Sequence, residues 1–296
     1  MARRYDTISF LSDYGTDDEF VGVVKSVIRD LAPHATVIDL THGVAPFDVR
    51  AGSLALARCI SYVASGVVVA AVDPGVGTER RGVAIEVAGG EGVLVGPDNG
   101  VLAPAVAMAG GAGRAISLTN EEYQLVAPGA TFDGRDVFAP AAAHLCNGVD
   151  LAELGDPVDA DLLMPGVVPL PQADDEKVIA QVLWVDRFGN AQLNVGVDDL
   201  AATFGDRVSV RFSAPTDPSG GTTRSAQRVS SFAAVSTGAV GLVVDANGML
   251  SVVMNQRSAA ADLGVDVGDQ VTLTPASDED EAPAAQAVTI GPTPSR

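Results

Sequence analysis

The apolar positions change their spacing near the middle of the chain, and that change organises the reading. In the first half, short apolar runs alternate with longer amphipathic stretches. Thr7–Ser12 reads as a first strand that ends at Asp13, followed by a loop through Tyr14–Asp18 and a helix to about Leu31, capped by Asp17 or Asp18. Ala35–Leu40 reads as a second strand, Val49–Val63 as a second helix, and Gly66–Ala71 as a third strand. This last run is wholly small or β-branched, the signature of a strand covered on both faces. Val83–Val87 and Val93–Val95 extend the series, with a dense turn signal at Gly96–Gly100, and Asp136–Cys146 reads as a further helix stopped by Asn147-Gly148. Strand and helix in alternation predict a mainly parallel α/β sheet with helices on both faces.

Beyond Pro165, Pro169 and Pro171 the pattern is different. Lys177–Val185, Ala191–Val195, Arg207–Phe212, Val240–Val244, Leu250–Met254 and Gln270–Leu273 are short strand candidates separated by turns, among them Asn247-Gly248. They predict a smaller, compact antiparallel β-barrel or sandwich domain. The expected organisation is therefore an α/β domain over 1–168, a linker over 169–176, a barrel over 177–275, and a disordered acidic tail over 276–296.

Composition narrows the function. The formal net charge is -20, and Lys25 and Lys177 are the only lysines among 18 basic residues. Such a chain lacks the basic patch that nucleic acid requires. A surface of this kind suits a halophilic host, and a GC-rich genome that favours arginine would give the same count. No apolar run reaches the length of a membrane span and the N-terminus does not read as a signal peptide, so a cytoplasmic location is expected. Cys59 and Cys146 lie in apolar, helical stretches and read as buried hydrophobes. His34, His42 and His144 are too scattered for a local metal motif, there is no P-loop, and Arg80 stands where a dinucleotide fingerprint would need its third glycine.

The segment Val72–Arg81 follows the third strand directly. It places Asp73 at the strand's carboxyl end, turns at Pro74-Gly75, and brings Arg80 in seven residues later. Ligands of open α/β sheets sit at that edge. An acid beside a cation on a glycine-rich turn could orient and activate water, although Asp-Pro-Gly alone is also an ordinary turn.

Seven stretches in order carry a resemblance: Leu11–Gly15, Asp39–His42, Pro46–Val49, Asp73–Arg81, Gly96–Gly100, Thr131–Asp136 and Asp186–Asn190. Together they resemble the S-adenosyl-L-methionine (SAM) hydroxide adenosyltransferases, adenosine-forming SAM hydrolases related to SAM-dependent fluorinase and chlorinase. The resemblance spans about residues 7–275. It implies a Rossmann-like N-terminal domain, a C-terminal β-barrel, and a homotrimer with SAM between one subunit's N-terminal domain and its neighbour's C-terminal domain, with SAM as substrate, no cofactor and no metal. It implies Asp13 on the ribose diol, Phe47 against the sugar, Phe188 and Asn190 on adenine with Phe232 as a second packing ring, and Asp186 toward the methionine ammonium.

The implied reaction is attack of water or hydroxide on the ribose 5′ carbon, with methionine leaving as a neutral thioether. Asp73 would hold the water and repel halide, since the halogenating relatives carry an uncharged residue there, and Arg80 would fix that carboxylate. The family's pattern has a histidine where this chain has Asp133. A carboxylate there could pair with Arg80 and serve as an alternative base, or it could leave a catalytically silent SAM- or adenosine-binding protein; a SAM-dependent halogenase is a third reading, which Asp73 opposes. The segment Asp245–Gly248 also lacks a serine that relatives place near the methionine carboxylate, a role left to Asn247 or backbone groups.

Overall fold

The computed structural model describes residues 5–276 except 175, 202 and 214–219. The acidic tail expected from 276 onward falls, from 277, outside the described residues. The chain divides into two compact units, residues 1–168 and 169–296.

In the first unit the strands are β1 (Thr7–Ser12), β2 (Thr36–Thr41), β3 (Gly66–Ala71), β4 (Gly82–Val87), β5 (Gly92–Pro97), β6 (Ala115–Ser117) and β7 (Asp156–Val158). They form one sheet in the order β2-β1-β3-β5-β4-β6-β7. The first four in that order run parallel, and β4, β6 and β7 are antiparallel additions. The helices are α1 (Phe20–Leu31), α2 (Val49–Ile60), α3 (Ala103–Met108) and α4 (Ala139–Cys146).

Every residue of β3 is buried. Val67, Val69 and Ala71 belong to a core that includes Val24 and Ile28 of α1 and Ala142, Leu145 and Cys146 of α4. Val68 and Ala70, with Val72 just beyond, join Leu56 of α2 and Ala105 and Val106 of α3 on the opposite face. The alternation of a strand thus distributes one apolar run between two helical layers. Each fully buried valine contributes about 1.5–3 kcal/mol.

Strand order reverses between β1 and β3, because β2 lies on one side of β1 and β3 on the other. This is the switch point at which such sheets open a crevice beyond their carboxyl ends. In the β1–β3 register Ser12 lies opposite Ala71. Asp13 and Asp73 therefore leave neighbouring strands at the same edge.

Local boundaries correct several sequence expectations. Neither Asp17 nor Asp18 caps α1: Glu19 precedes the helix, already in helical backbone geometry, with no side-chain cap. Helix α2 stops at Ile60, short of Val63. The segment expected to be helical from Asp136 opens instead as a π-turn over Gly134–Phe138, and α4 follows with Pro140 in its first turn. Proline suits that position because its missing N–H has no partner there in any case.

In the second unit β8 (Gln172–Ala173), β9 (Val178–Val185), β10 (Ala191–Gly196), β11 (Arg207–Ser213), β12 (Thr222–Arg228), β13 (Val240–Val244), β14 (Met249–Val253) and β15 (Gln270–Pro275) surround an apolar core, with α5 (Ala259–Leu263) at one side. The order β10-β14-β13-β12-β11-β15-β9 closes through the β9–β10 pairing into a seven-stranded barrel. Two expectations need correction here. The β12–β13 pairing is parallel, so the barrel is not wholly antiparallel. Gln172 and Ala173, read as linker, pair with Ile179 and Val178. Strand β12 is rich in Thr, Ser, Arg and Gln, so its periodicity is invisible in the sequence. Among the described residues no helix is long and apolar enough to cross a membrane.

Candidate active site

The loop after β3 is shaped by contacts that only small residues permit. Gly77 adopts φ 77°, and a Cβ there would lie 2.7 Å from the carbonyl oxygen of Ala130. The turn thereby closes against the segment that carries Asp133. Asn99, from the turn after β5, donates through Nδ2 to the carbonyl of Val72 at 2.9 Å and fixes the end of β3. Beside it, Arg81 Nη2 donates to Asp98 Oδ2 at 2.5 Å, and the Met164 N–H donates to Asp98 Oδ1 at 2.8 Å.

Within this frame Asp73, Arg80 and Asp133 form one hydrogen-bonded cluster. Arg80 Nε donates to Asp73 Oδ1 at 3.0 Å, and Arg80 Nη2 donates to Asp73 Oδ2. The same Nη2 donates to Asp133 Oδ2 at 2.6 Å. Asp73 and Arg80 expose only 6% and 10% of their side chains, and Asp133 exposes 21%. The guanidinium carbon lies 5.6 Å from the centre of the Phe138 ring, and Arg80 Nη1 is buried without a hydrogen-bond partner. Burial pushes the Asp73 carboxyl up from its ordinary range; Arg80 opposes the rise and Asp133 adds to it.

At the end of β1, Asp13 Oδ2 accepts from the backbone N–H of Phe47 at 2.8 Å. Phe47 takes φ 68°, unusual for a residue with a Cβ, and the residue is 72% exposed. The strain is held by the aspartate and leaves an aromatic face in solvent. Beneath this loop, Ser12 Oγ and His42 Nδ1 lie 2.8 Å apart, and His42 Nε2 lies 3.2 Å from Asp39 Oδ1. His42 is buried and packs edge-on against Phe10, which gives it a structural role. The ring of His144 packs against Tyr123 and burial lowers its pKa.

Tyr14 lies in the Leu11–Gly15 stretch, directly after Asp13, and the sequence assigns it no role. Its ring meets those of Phe10, Phe20 and Phe132. Its hydroxyl abuts Gly134, where a Cβ would lie only 2.3 Å away. The signal available in the sequence was adjacency to Asp13.

In the barrel unit, Asp186 organises the turn between β9 and β10. Its Oδ1 accepts from the N–H groups of Phe188 and Asn190, each at 2.8 Å, and its Oδ2 accepts from Asn190 Nδ2 at 2.8 Å. Gly189 completes the turn at φ 82°, with its carbonyl accepting from the N–H of Ala260. This turn lines a pocket of about 580 Å³. Asp186, Phe188, Asn190 and Phe232 line it together, and Phe188 and Phe232 are 75% and 48% exposed. Met254, Gln256, Arg257 and Ser258 also line it and were missed, because no motif marks them in the sequence. Asn247 is not among the lining residues. It sits in the β13–β14 turn, where its N–H donates to Asp245 Oδ1 at 2.8 Å. Among the described residues no cluster of histidine, cysteine or acidic side chains could hold a metal ion.

Residues 8–155 match the family model of the SAM hydroxide adenosyltransferase N-terminal domain, and residues 180–272 match that of its C-terminal domain. The chain is 42% identical over 267 residues to the (R)-S-adenosyl-L-methionine hydrolase of Salinispora tropica, covering 90% of this chain and 97% of that protein. It is 39% identical over 277 residues to the enzyme of the same name from Thermus thermophilus, covering 90% and 98%. The fluorinase of an Actinoplanes species is more distant, at 27% identity over 65% of this chain and 72% of that protein. Among solved structures, an uncharacterized conserved protein from Thermotoga maritima superposes with a TM-score of 0.81 at 35% identity, covering 90% of this chain and 99% of its own.

Proposed function

The chain belongs to the SAM hydroxide adenosyltransferase family, and from that premise we propose that it hydrolyses SAM to adenosine and L-methionine. The observation that carries this reading is the Asp73–Arg80–Asp133 cluster at the carboxyl edge of β3, beside the switch point of the sheet. Water attacks the ribose 5′ carbon, and the C–S bond breaks with its electron pair passing to sulfur. The sulfonium becomes a neutral thioether, so the leaving group needs no proton. The proton lost by the water passes to the Asp73 carboxylate, with Asp133 as the second acceptor within the cluster, and then to solvent. Arg80 holds Asp73 through two donors and keeps it aimed. A carboxylate at this point also repels anionic nucleophiles such as chloride.

Substrate recognition is divided between the two units. Asp13 and the exposed ring of Phe47 serve the ribose. Phe188 and Phe232 offer stacking faces for adenine, and Asn190 retains an amide oxygen and one N–H for its edge. The Asp186 carboxylate is engaged by its own turn, and its remaining lone pairs are available to the methionine ammonium. By the same reading the enzyme is a homotrimer, each site being completed by the barrel unit of a neighbouring subunit, and SAM is converted without cofactor or metal.

Incubation of the purified protein with SAM, resolved by chromatography, tests the reading. Adenosine and methionine should appear in equal amounts, and Asp73→Ala should abolish both. SAM binding without turnover would select the silent-binder alternative, to which Asp133 gives its one specific support. Chloride-dependent formation of a chlorinated nucleoside would select a halogenase.

A further inference from the structure

An attacking water has four hydrogen-bonding directions: two protons to donate and two lone pairs. In the hydrolase reading, on which this inference rests, one lone pair points at the ribose carbon and the two protons face carboxylates. The remaining lone pair requires a donor. Arg80 cannot supply it. Its Nε and Nη2 are committed to Asp73 and Asp133, and its Nη1 is buried away from any partner.

Tyr14 is placed to do so. Three aromatic rings, Phe10, Phe20 and Phe132, lie 6.4, 5.7 and 5.7 Å from its own and fix the ring plane. Its hydroxyl occupies the space left by the absent side chain of Gly134, the residue next to Asp133. Among the described residues nothing accepts a hydrogen bond from it. It directly follows Asp13 in the chain and abuts the residue beside Asp133, so it stands among the groups of the site. We propose that the Tyr14 hydroxyl is a catalytic group that donates to the attacking water and completes its orientation between Asp73 and the ribose carbon. Burial first, and then the Asp13, Asp73 and Asp133 carboxylates, hold the phenol above its ordinary range, against the opposing pull of Arg80. The hydroxyl therefore stays protonated, and a donor, at neutral pH.

Tyr14→Phe tests this, because it removes one oxygen and keeps every ring contact. With SAM as substrate, kcat should fall about tenfold while KM stays within about twofold, since the lost contact is to water and not to SAM. A purely structural role would instead lower the melting temperature and shift KM. An unchanged kcat in Tyr14→Phe, with wild-type protein releasing adenosine, overturns the assignment and leaves the hydrolase reading standing. If wild-type protein releases no adenosine, both fail. Should Tyr14→Phe not fold, Gly134→Ala provides the second arm. Its methyl would displace the hydroxyl, kcat should fall with KM retained, and an unaltered kcat would overturn the proposal.

Discussion

Asp133 accepts from Arg80 Nη2 at 2.6 Å, on the same nitrogen that binds Asp73. One guanidinium is thus shared by two acids from separate segments of the chain. The Asp133 carboxylate is therefore built into the cluster and does not hang free. Asp133 makes Asp73 harder to ionise, and the cation offsets only part of the rise.

A pH dependence follows from this sharing. Asp73 must be ionised to take the water's proton, and burial together with Asp133 raises its pKa. The acid limb of kcat/KM should therefore lie above the ordinary aspartate range, with activity lost as pH falls through it. In Asp133→Asn one source of the rise is gone, and the limb should move to lower pH. A limb that stays in place in this variant would show that Asp133 does not act on Asp73.

Arg80→Lys should not rescue Arg80→Ala. An ammonium cannot span both oxygens of Asp73 while also reaching Asp133. A loss of about a hundredfold in kcat is expected for either substitution, measured as adenosine release at saturating SAM.

Asp186→Ala should raise KM for SAM much more than it lowers kcat. The carboxylate holds Phe188 and Asn190 in place through three hydrogen bonds, and without it the stacking face and the amide lose their fixed positions. Phe188→Ala should weaken binding in the same direction, and isothermal titration with SAM reads both.

Gly189→Ala should destabilise the protein by about 1–3 kcal/mol. The position needs φ 82°, and an added Cβ would lie 1.9 Å from Ser258 Oγ. Thermal unfolding measures the loss, and an unchanged midpoint would mean that the turn can relax away from α5.

The sequence revealed the strands whose apolar character is continuous or alternating, β1, β3 and β13 among them, because burial dictates their composition. It concealed β12, whose polar residues follow no readable period, and the two-residue β8, which is too short to have one. Asp73, Arg80 and Asp133 stood out because each lies in a motif, yet only the fold shows all three on one hydrogen-bonded cluster. Met254, Gln256, Arg257 and Ser258 could not be found in advance, since tertiary packing alone brings them beside Phe188. Asn247, a stand-in for the absent serine near the methionine carboxylate, does not line that pocket.

The uniform oiliness of β3 has a cost that its neighbours must meet. Because both of its faces are apolar, sliding the strand by one residue would bury nearly as much hydrocarbon as before, so the core itself scarcely polices the alignment. Such a slip would nonetheless carry Asp73 off its mark by more than 3 Å, roughly the rise of one strand residue. The amide of Asn99, gripping the carbonyl of Val72, therefore acts as a latch that indexes the acid, and the accuracy of the chemistry is entrusted to a polar side chain that touches no reactant.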